Sequence, residues 1–379
     1  MEKIKANLLW FLPTFGDSRY LGDNSTKRVV DLDYLTAIAQ AAEKAGFVGT
    51  LVPTGHSTEE SYIVASSLFQ ATSTFKFLCA LRPGILSPTF AARIAATMDR
   101  LSGGRVLFNL VAGGDNADLQ ADGVFYDHDE RYVQATEFAR IWRALLRGET
   151  VNSSSNYYHI KNAKLYNLPL QEEVPLFFGG SSEPAQELSG ELIDKYLSWG
   201  ETPQKVKEKF DIVRQKAKKY GREDKISFGV RLHVIVRETD EEAWKQAEKL
   251  ISKLDKKQIE ETKKYLNSYY GVGQERLNEL YKTANNKLEV YPNLWAGVGL
   301  IREGCGTTAV GSVESVKRLL KEYVDAGADT FVLSGYPHLE EAIYAGELLV
   351  PHFEQELAQE NKNLRKIELN KDRIDCKIF

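Results

Sequence analysis

Short apolar runs and longer amphipathic stretches alternate along most of the chain. Runs of the first kind occupy Asn7–Pro13, Val48–Pro53, Phe75–Leu81, Val106–Ala112, Val174–Gly179, Lys195–Ser198, Ile226–Val236 and Thr330–Ser334. Their length and their β-branched and aromatic content predict strands. Between them apolar residues recur at helical spacing, as in Asp33–Ala45, Pro88–Leu101 and Glu130–Arg147. A glycine follows each stretch (Gly46, Gly103, Gly148), the residue that ends a helix in left-handed backbone without steric cost. Lys44-Ala45-Gly46-Phe47 and Asp325-Ala326-Gly327-Ala328 share one form, which predicts two equivalent helix-to-strand corners.

Eight strands separated by helices predict an α/β fold of the (β/α)8 TIM-barrel type, since parallel neighbours need crossovers and eight strands close a ring. An open doubly wound sheet is the runner-up, but no G-x-G-x-x-G follows the first strand. A barrel takes about 250 residues, so a chain of 379 must carry additions. The expected organisation is one domain over residues 1–360, with insertions near 150–173 and 254–311 and a flexible tail over 361–379. The second insertion starts Lys/Glu-rich and helical, then becomes Pro292–Gly299 (PNLWAGVG). Long glycine-bracketed segments of this kind act as lids.

Composition narrows the function classes. Hydrophobic residues make up 43% and charged residues 27%, as in soluble globular proteins with a large core. A net charge of −4 gives no field that would draw in nucleic acid or an anionic membrane. Cys79, Cys305 and Cys376 are odd in number and far apart, and the six histidines contain no HExxH pair. Neither a disulfide framework nor a metal site is expected. The first apolar run, about ten residues, is too short to span a bilayer, so a cytoplasmic location is expected.

Barrel sites lie at the C-terminal strand ends. The fifth strand ends Phe177-Phe178-Gly179-Gly180-Ser181-Ser182-Glu183-Pro184, which reads either as a phosphate cradle at a helix N-terminus or as an ordinary serine N-cap. In Gly229–Arg237 (GVRLHVIVR) alternation puts Arg231 and His233 on one face and Leu232 and Val234 on the other. With the apolar face outward, a cation and a titratable ring point into the barrel. Ligand or catalytic duty is the favoured reading there, and a buried ion pair the other. After the eighth strand, Ser334-Gly335-Tyr336-Pro337-His338 would hang Tyr336 and His338 at the mouth. The pairs Glu59-Glu60 and Glu340-Glu341 read as solvated helix starts.

These residues resemble the bacterial-luciferase-like flavin monooxygenases, and within them the alkanesulfonate and methanesulfonate monooxygenase branch. The similar segments run from Trp10–Thr14 to Pro351. The most specific are Gly229–Thr239, Pro292–Ile301, Ser334–Glu341 and Pro175–Gln186. The resemblance implies reduced FMN as cosubstrate, dioxygen as oxidant and a separate NAD(P)H-dependent FMN reductase. It also implies a homotetramer or homodimer, and a sulfonate cleaved to aldehyde and sulfite. It carries phosphate-end contacts onto Ser181, Ser182 and Tyr132, and flavin-flanking positions onto Asn109, Ala112 and Trp199. The catalytic set falls on Arg231, His233, Tyr336 and His338, with Arg302 on the lid. His233, whose ordinary pKa is near 6.5, is the first choice for proton transfer.

The chain departs from the family at one expected substrate wall. Phe15 replaces a histidine, Gly55-His56-Ser57-Thr58 replaces Gly-Arg-Ser-Cys, Tyr62 replaces a tryptophan, and Ala112 replaces a threonine. These changes bear on the substrate rather than on the barrel or the flavin. The alternatives are another organosulfur or small organic substrate, a deazaflavin-dependent dehydrogenase, a catalytically idle homologue, and a phosphate-binding barrel lyase or isomerase. The last needs a buried lysine or carboxylate at a strand end.

Overall fold

The computed structural model describes residues 3–113, 116–268, 271–358 and 364–365. All eight expected strands form: β1 (Asn7–Phe11), β2 (Gly49–Val52), β3 (Lys76–Leu81), β4 (Val106–Leu110), β5 (Leu176–Phe178), β6 (Lys195–Trp199), β7 (Ser227–Arg237) and β8 (Thr330–Ser334). Each is parallel to the next, and β8 pairs with β1 through Leu333 and Trp10. Closure at the other seam comes from β6 and β7, with Trp199 opposite Arg231. The sheet is therefore a closed barrel, and the open-sheet reading is overturned.

Strand alternation sorts the side chains. Leu9, Leu78, Leu107, Phe177, Leu197 and Val332 form an internal layer, whereas Val230, Leu232 and Val234 join the larger core under the helices. Helices α1 (Leu32–Lys44), α2 (Ser61–Leu68), α3 (Pro88–Ser102), α4 (Asn116–Ala121), α5 (His128–Leu146), α6 (Glu183–Leu192) and α7 (Pro203–Lys218) follow the first six strands. The two matching corners are equivalent: Gly46 and Gly327 adopt φ of 93° and 110° and lead into β2 and β8. A C-terminal piece, Phe353–Ala358, folds under the barrel, where Leu357 packs against the internal layer.

The insertions carry more regular structure than their sequences suggest. Residues 150–173 contain an antiparallel hairpin, Val151–Ser154 against His159–Ala163. Helix α8 (Asp240–Ile251) follows β7, and the second insertion then opens with helices α9 (Lys256–Ser268) and α10 (Val272–Lys282). The strand Thr308–Ser312 then pairs in parallel with the far half of β7, from His233 to Arg237. The end of the second insertion thus extends the sheet, while its first half is helical. Helices α11 (Val313–Asp325) and α12 (His338–Leu348) flank β8. Most of the expected tail lies outside the described residues, as does Cys376, but Arg365 donates its backbone N–H to the Leu170 carbonyl at 2.6 Å.

Candidate active site

A cavity of about 390 Å³ opens at the C-terminal end of the barrel. Its floor comes from inward positions of the strands, including Leu51, Asn109, Leu197, Arg231 and His233. One end is closed by Gly180, Ser181, Ser182 and Tyr132, the other by Phe11, Tyr336, Arg302 and Cys305. Asn109, expected from the resemblance alone, follows Leu107 by two residues and so shares its inward face.

Ser182 occupies the N-cap position of α6, yet its side chain makes no capping bond. Its Oγ is buried without a hydrogen-bond partner of normal geometry. That favours the cradle over the ordinary cap, because a capping serine would satisfy a helix N–H. Burial pushes the Tyr132 hydroxyl up, with Ser182 beside it partly opposing the shift. Asn109 Oδ1 is a second buried oxygen without a partner. Such atoms cost free energy unless a ligand or water meets them. A flavin with a terminal phosphate suits this set, offering an anion for the serine cradle and polar ring-edge atoms for Asn109.

At the other end the guanidinium of Arg231 lies 4.7 Å from the centroid of Phe11, and that of Arg302 lies 4.4 Å from the centroid of Phe15. Arg231 donates to the Leu232 carbonyl at 2.7 Å, and Arg302 donates to the Tyr336 hydroxyl. Among the described residues neither cation has a carboxylate within 4.0 Å. Burial lowers the Arg231 pKa, and it raises that of Tyr336 against the opposing pull of Arg302 and Arg231. Tyr336 therefore keeps its proton. Its oxygen accepts from Arg302, which leaves its O–H available to donate.

The two histidines depart from expectation. His233 is 4% exposed; its Nε2 lies 2.9 Å from the Cys305 carbonyl and its Nδ1 2.6 Å from Ser334 Oγ. The carbonyl can only accept, so Nε2 carries the proton and Nδ1 accepts from the serine. Both nitrogens are committed. Burial, then the fields of Arg231 and Arg302, hold its pKa well below 6.5. It is a neutral clasp, and free proton transfer in either direction is not open to it. His338 does not hang at the mouth; it is fully buried beside Trp10, Phe11 and Tyr336, and neither ring nitrogen makes a hydrogen bond of normal geometry. Its backbone N–H donates to Asp17 at 2.6 Å.

The expected substrate wall is divided. Phe15 belongs with Arg302, and Ala112 lines the main cavity. His56, Thr58 and Tyr62 instead line a second cavity of about 340 Å³, beside Arg82 and Asp122. There Asp122 receives Arg82 at 3.0 Å and sits 3.2 Å from His56 Nε2. Glu60 caps α2, as a helix start should. Glu341 is not solvated: it is 2% exposed and paired with Arg237 at 2.5 Å. Its helix position gave no sign of this, because the partner comes from β7.

Sequence reasoning missed Cys305, His128 and the Gly271–Gln274 turn, all of which line the main cavity. His128 and Gly271 begin helices whose direction toward the barrel is set by tertiary packing, so no local signal marks them. Of the buried lysines, Lys76 and Lys195 start β3 and β6, at the end of the barrel away from the cavity. Lys195 is paired with Asp329 and Lys209 with Glu201. None is placed for the chemistry of a barrel lyase.

Residues 6–330 match the sequence profile of the luciferase-like monooxygenases. The chain belongs to that family. The fold is also shared with solved structures of low identity. A riboflavin lyase with modified FMN and riboflavin superposes with a TM-score of 0.74 at 20% identity, over 92% of this chain and 91% of its own. An EDTA monooxygenase from Chelativorans sp. BNC1 gives 0.73 at 16%, over 92% and 93%. An F420-dependent secondary alcohol dehydrogenase gives 0.67 at 18%, over 92% and 99%. At these identities the likeness concerns the fold, and substrates differ widely among its bearers. Among the described residues of this luciferase-like monooxygenase, no helix is long and apolar enough to cross a membrane.

Proposed function

We propose that the protein is a reduced-FMN-dependent monooxygenase that converts an alkanesulfonate to aldehyde and sulfite. The observation that carries this reading is the pair Arg231 and Arg302, two cations that line one cavity and, among the described residues, make no ion pair with a carboxylate within 4.0 Å, although Glu303 lines the same cavity. Both are partly withdrawn from solvent, and positive charge left without a counter-ion there favours an anionic ligand. A sulfonate stays anionic across the physiological pH range, and its three oxygens match the multiple donors of a guanidinium. Tyr336, protonated and aligned by Arg302, is the proton donor at this end; His233 keeps the Arg302 loop in place through Cys305. Ser181, Ser182, Tyr132 and Asn109 would hold FMN, with Trp199 and Ala112 along its length. Reduced flavin, when bound, supplies the electrons that activate dioxygen. In this reading a separate NAD(P)H-dependent reductase delivers it, and the protein works as a homotetramer or homodimer.

The test is aerobic turnover with reduced FMN regenerated by a reductase, measuring sulfite from sulfonates of graded chain length. Oxidised F420 is supplied in parallel with secondary alcohols, with its reduction followed as the alcohol is oxidised to a ketone, because the same fold carries such a dehydrogenase. Sulfite release that vanishes in Arg231→Met supports the proposal. No sulfite from any sulfonate while reduced FMN is bound and consumed would refute the substrate and retain the cofactor.

A further inference from the structure

We propose that α10, a helix of the second insertion, supplies half of the anion site: the backbone N–H groups of Val272 and Gly273 bind the terminal phosphate of FMN opposite Ser181 and Ser182. Flavin loading and seating of the insertion then become one event. The inference rests on the reading above that this cavity takes a phosphorylated flavin.

Helix α10 runs for 11 residues from Val272 to Lys282, and its N-cap, Gly271, offers no side chain to its free N–H groups. Gln274 and Glu275 both direct their N–H groups to the Gly271 carbonyl, which leaves those of Val272 and Gly273 beyond the reach of intrahelical bonding. The Gln274 side chain is turned away, donating to Asn278 at 3.0 Å and accepting from the Gly304 N–H at 2.9 Å. This end of the helix abuts the cradle. A Cβ built on Gly273 would stand 3.6 Å from Ser181 Oγ and 3.1 Å from the Trp199 ring. The independent sign of a ligand is Ser182, 9% exposed, whose Oγ lies beside Tyr132 without a hydrogen bond of normal geometry and lines the same cavity. Two helix N-termini, α6 and α10, thus converge on one point, and each favours an anion there.

Behind α10 the buried Glu201 holds both Lys209 at 2.5 Å and Arg276 at 2.8 Å. That cluster anchors the helix to the barrel and leaves one positive charge in excess. The bond from Gly304 to Gln274 joins α10 to the loop that carries Arg302, so a phosphate held at Val272 and Gly273 also steadies the sulfonate end of the cavity.

Val272→Pro tests this. Proline is favoured at the first helical position, and the preceding Gly271, at φ −164° and ψ 122°, is extended as a residue before proline should be. The Val272 side chain is 40% exposed, so the change removes one N–H donor with little else. Anaerobic titrations with reduced FMN and reduced riboflavin are compared for wild type, Val272→Pro and Val272→Ala, the last of which keeps the N–H. The expected result is that Val272→Pro alone weakens FMN about 10-fold, as loss of one charge-assisted bond does, while riboflavin affinity holds. FMN but not riboflavin should also protect Lys256–Ser268 from trypsin in wild type. FMN affinity unchanged in Val272→Pro, or falling in step with riboflavin, overturns the role of α10. Wild type that binds FMN no more tightly than riboflavin overturns the phosphate reading itself, and this inference with it.

Discussion

Ser334 donates its hydroxyl to His233 Nδ1 at 2.6 Å, across the seam between β7 and β8. The bond fixes the tautomer, and the other nitrogen then reaches the Cys305 carbonyl. A protonated His233 would lose the serine bond, because Nδ1 could no longer accept. His338, buried without a hydrogen bond of normal geometry, is likewise held neutral by burial and by Arg231.

These depressed pKa values set the sign of a pH effect. Below pH 6.5 the unfolded chain takes up protons that folded His233 and His338 refuse, so stability is full above that pH and falls as pH is lowered. Each histidine contributes a slope of about 1.4 kcal/mol per pH unit until its folded pKa is reached. Urea unfolding at pH 7, 6 and 5 checks this. His233→Gln should remove about half of the excess slope; a variant with the wild-type slope would show that the clasp does not titrate as argued.

Glu201 is 1% accessible and holds two cations, Lys209 and Arg276. Replacing it by Ala strands Lys209 and Arg276, and breaking a buried pair in this way costs about 3–5 kcal/mol. Lys209→Met with Glu201→Ala should recover part of that loss. Thermal unfolding of the single and double variants is the measurement, and a Glu201→Ala protein as stable as wild type would contradict the ion cluster's role.

How much of this was legible in the sequence depends on the range of the interaction. Alternation within one strand pointed Arg231 and His233 inward, and the doubled glycines before Ser181 marked the cradle, because both signals are local, whereas Asn109 was reached only through the family resemblance. The enclosure of His338 was not legible, since it is made by Trp10 and Phe11 from the opposite end of the chain. Glu341 looked solvated until Arg237 was brought to it by β7. Phe15 and His56 looked like neighbours on one wall, but Arg302 claims the first and Asp122 the second.

The piece under the barrel yields a simple stability test. Gln355 Oε1 accepts from the buried Leu8 N–H at 2.7 Å, and its Nε2 donates to the Gly46 carbonyl at 2.7 Å. Gln355→Ala leaves the Leu8 donor unmet, a loss of about 1–3 kcal/mol. Chemical denaturation should show it, with the flavin affinity unchanged because the cavity is at the opposite end. A coupled loss of flavin binding would mean that the two ends of the barrel are not independent.

The divided wall makes the last prediction. Phe15→His replaces the ring under Arg302, so it should change how tightly the anionic head group is held, by about 2–30-fold, the range spanned by cation–π contacts. His56→Arg acts elsewhere: it sets a second permanent cation against Asp122, which Arg82 already engages. Its effect should therefore fall on the substrate tail, appearing as a changed ratio of kcat/KM between long and short sulfonates. Residues with no shared partner add in free energy to within about 0.5 kcal/mol. Phe15→His and His56→Arg, combined, should accordingly multiply their separate effects. The same cycle with Thr58→Cys and His56→Arg, two residues of one cavity, should not. Strong coupling between positions 15 and 56 would mean that the two cavities act as a single substrate wall.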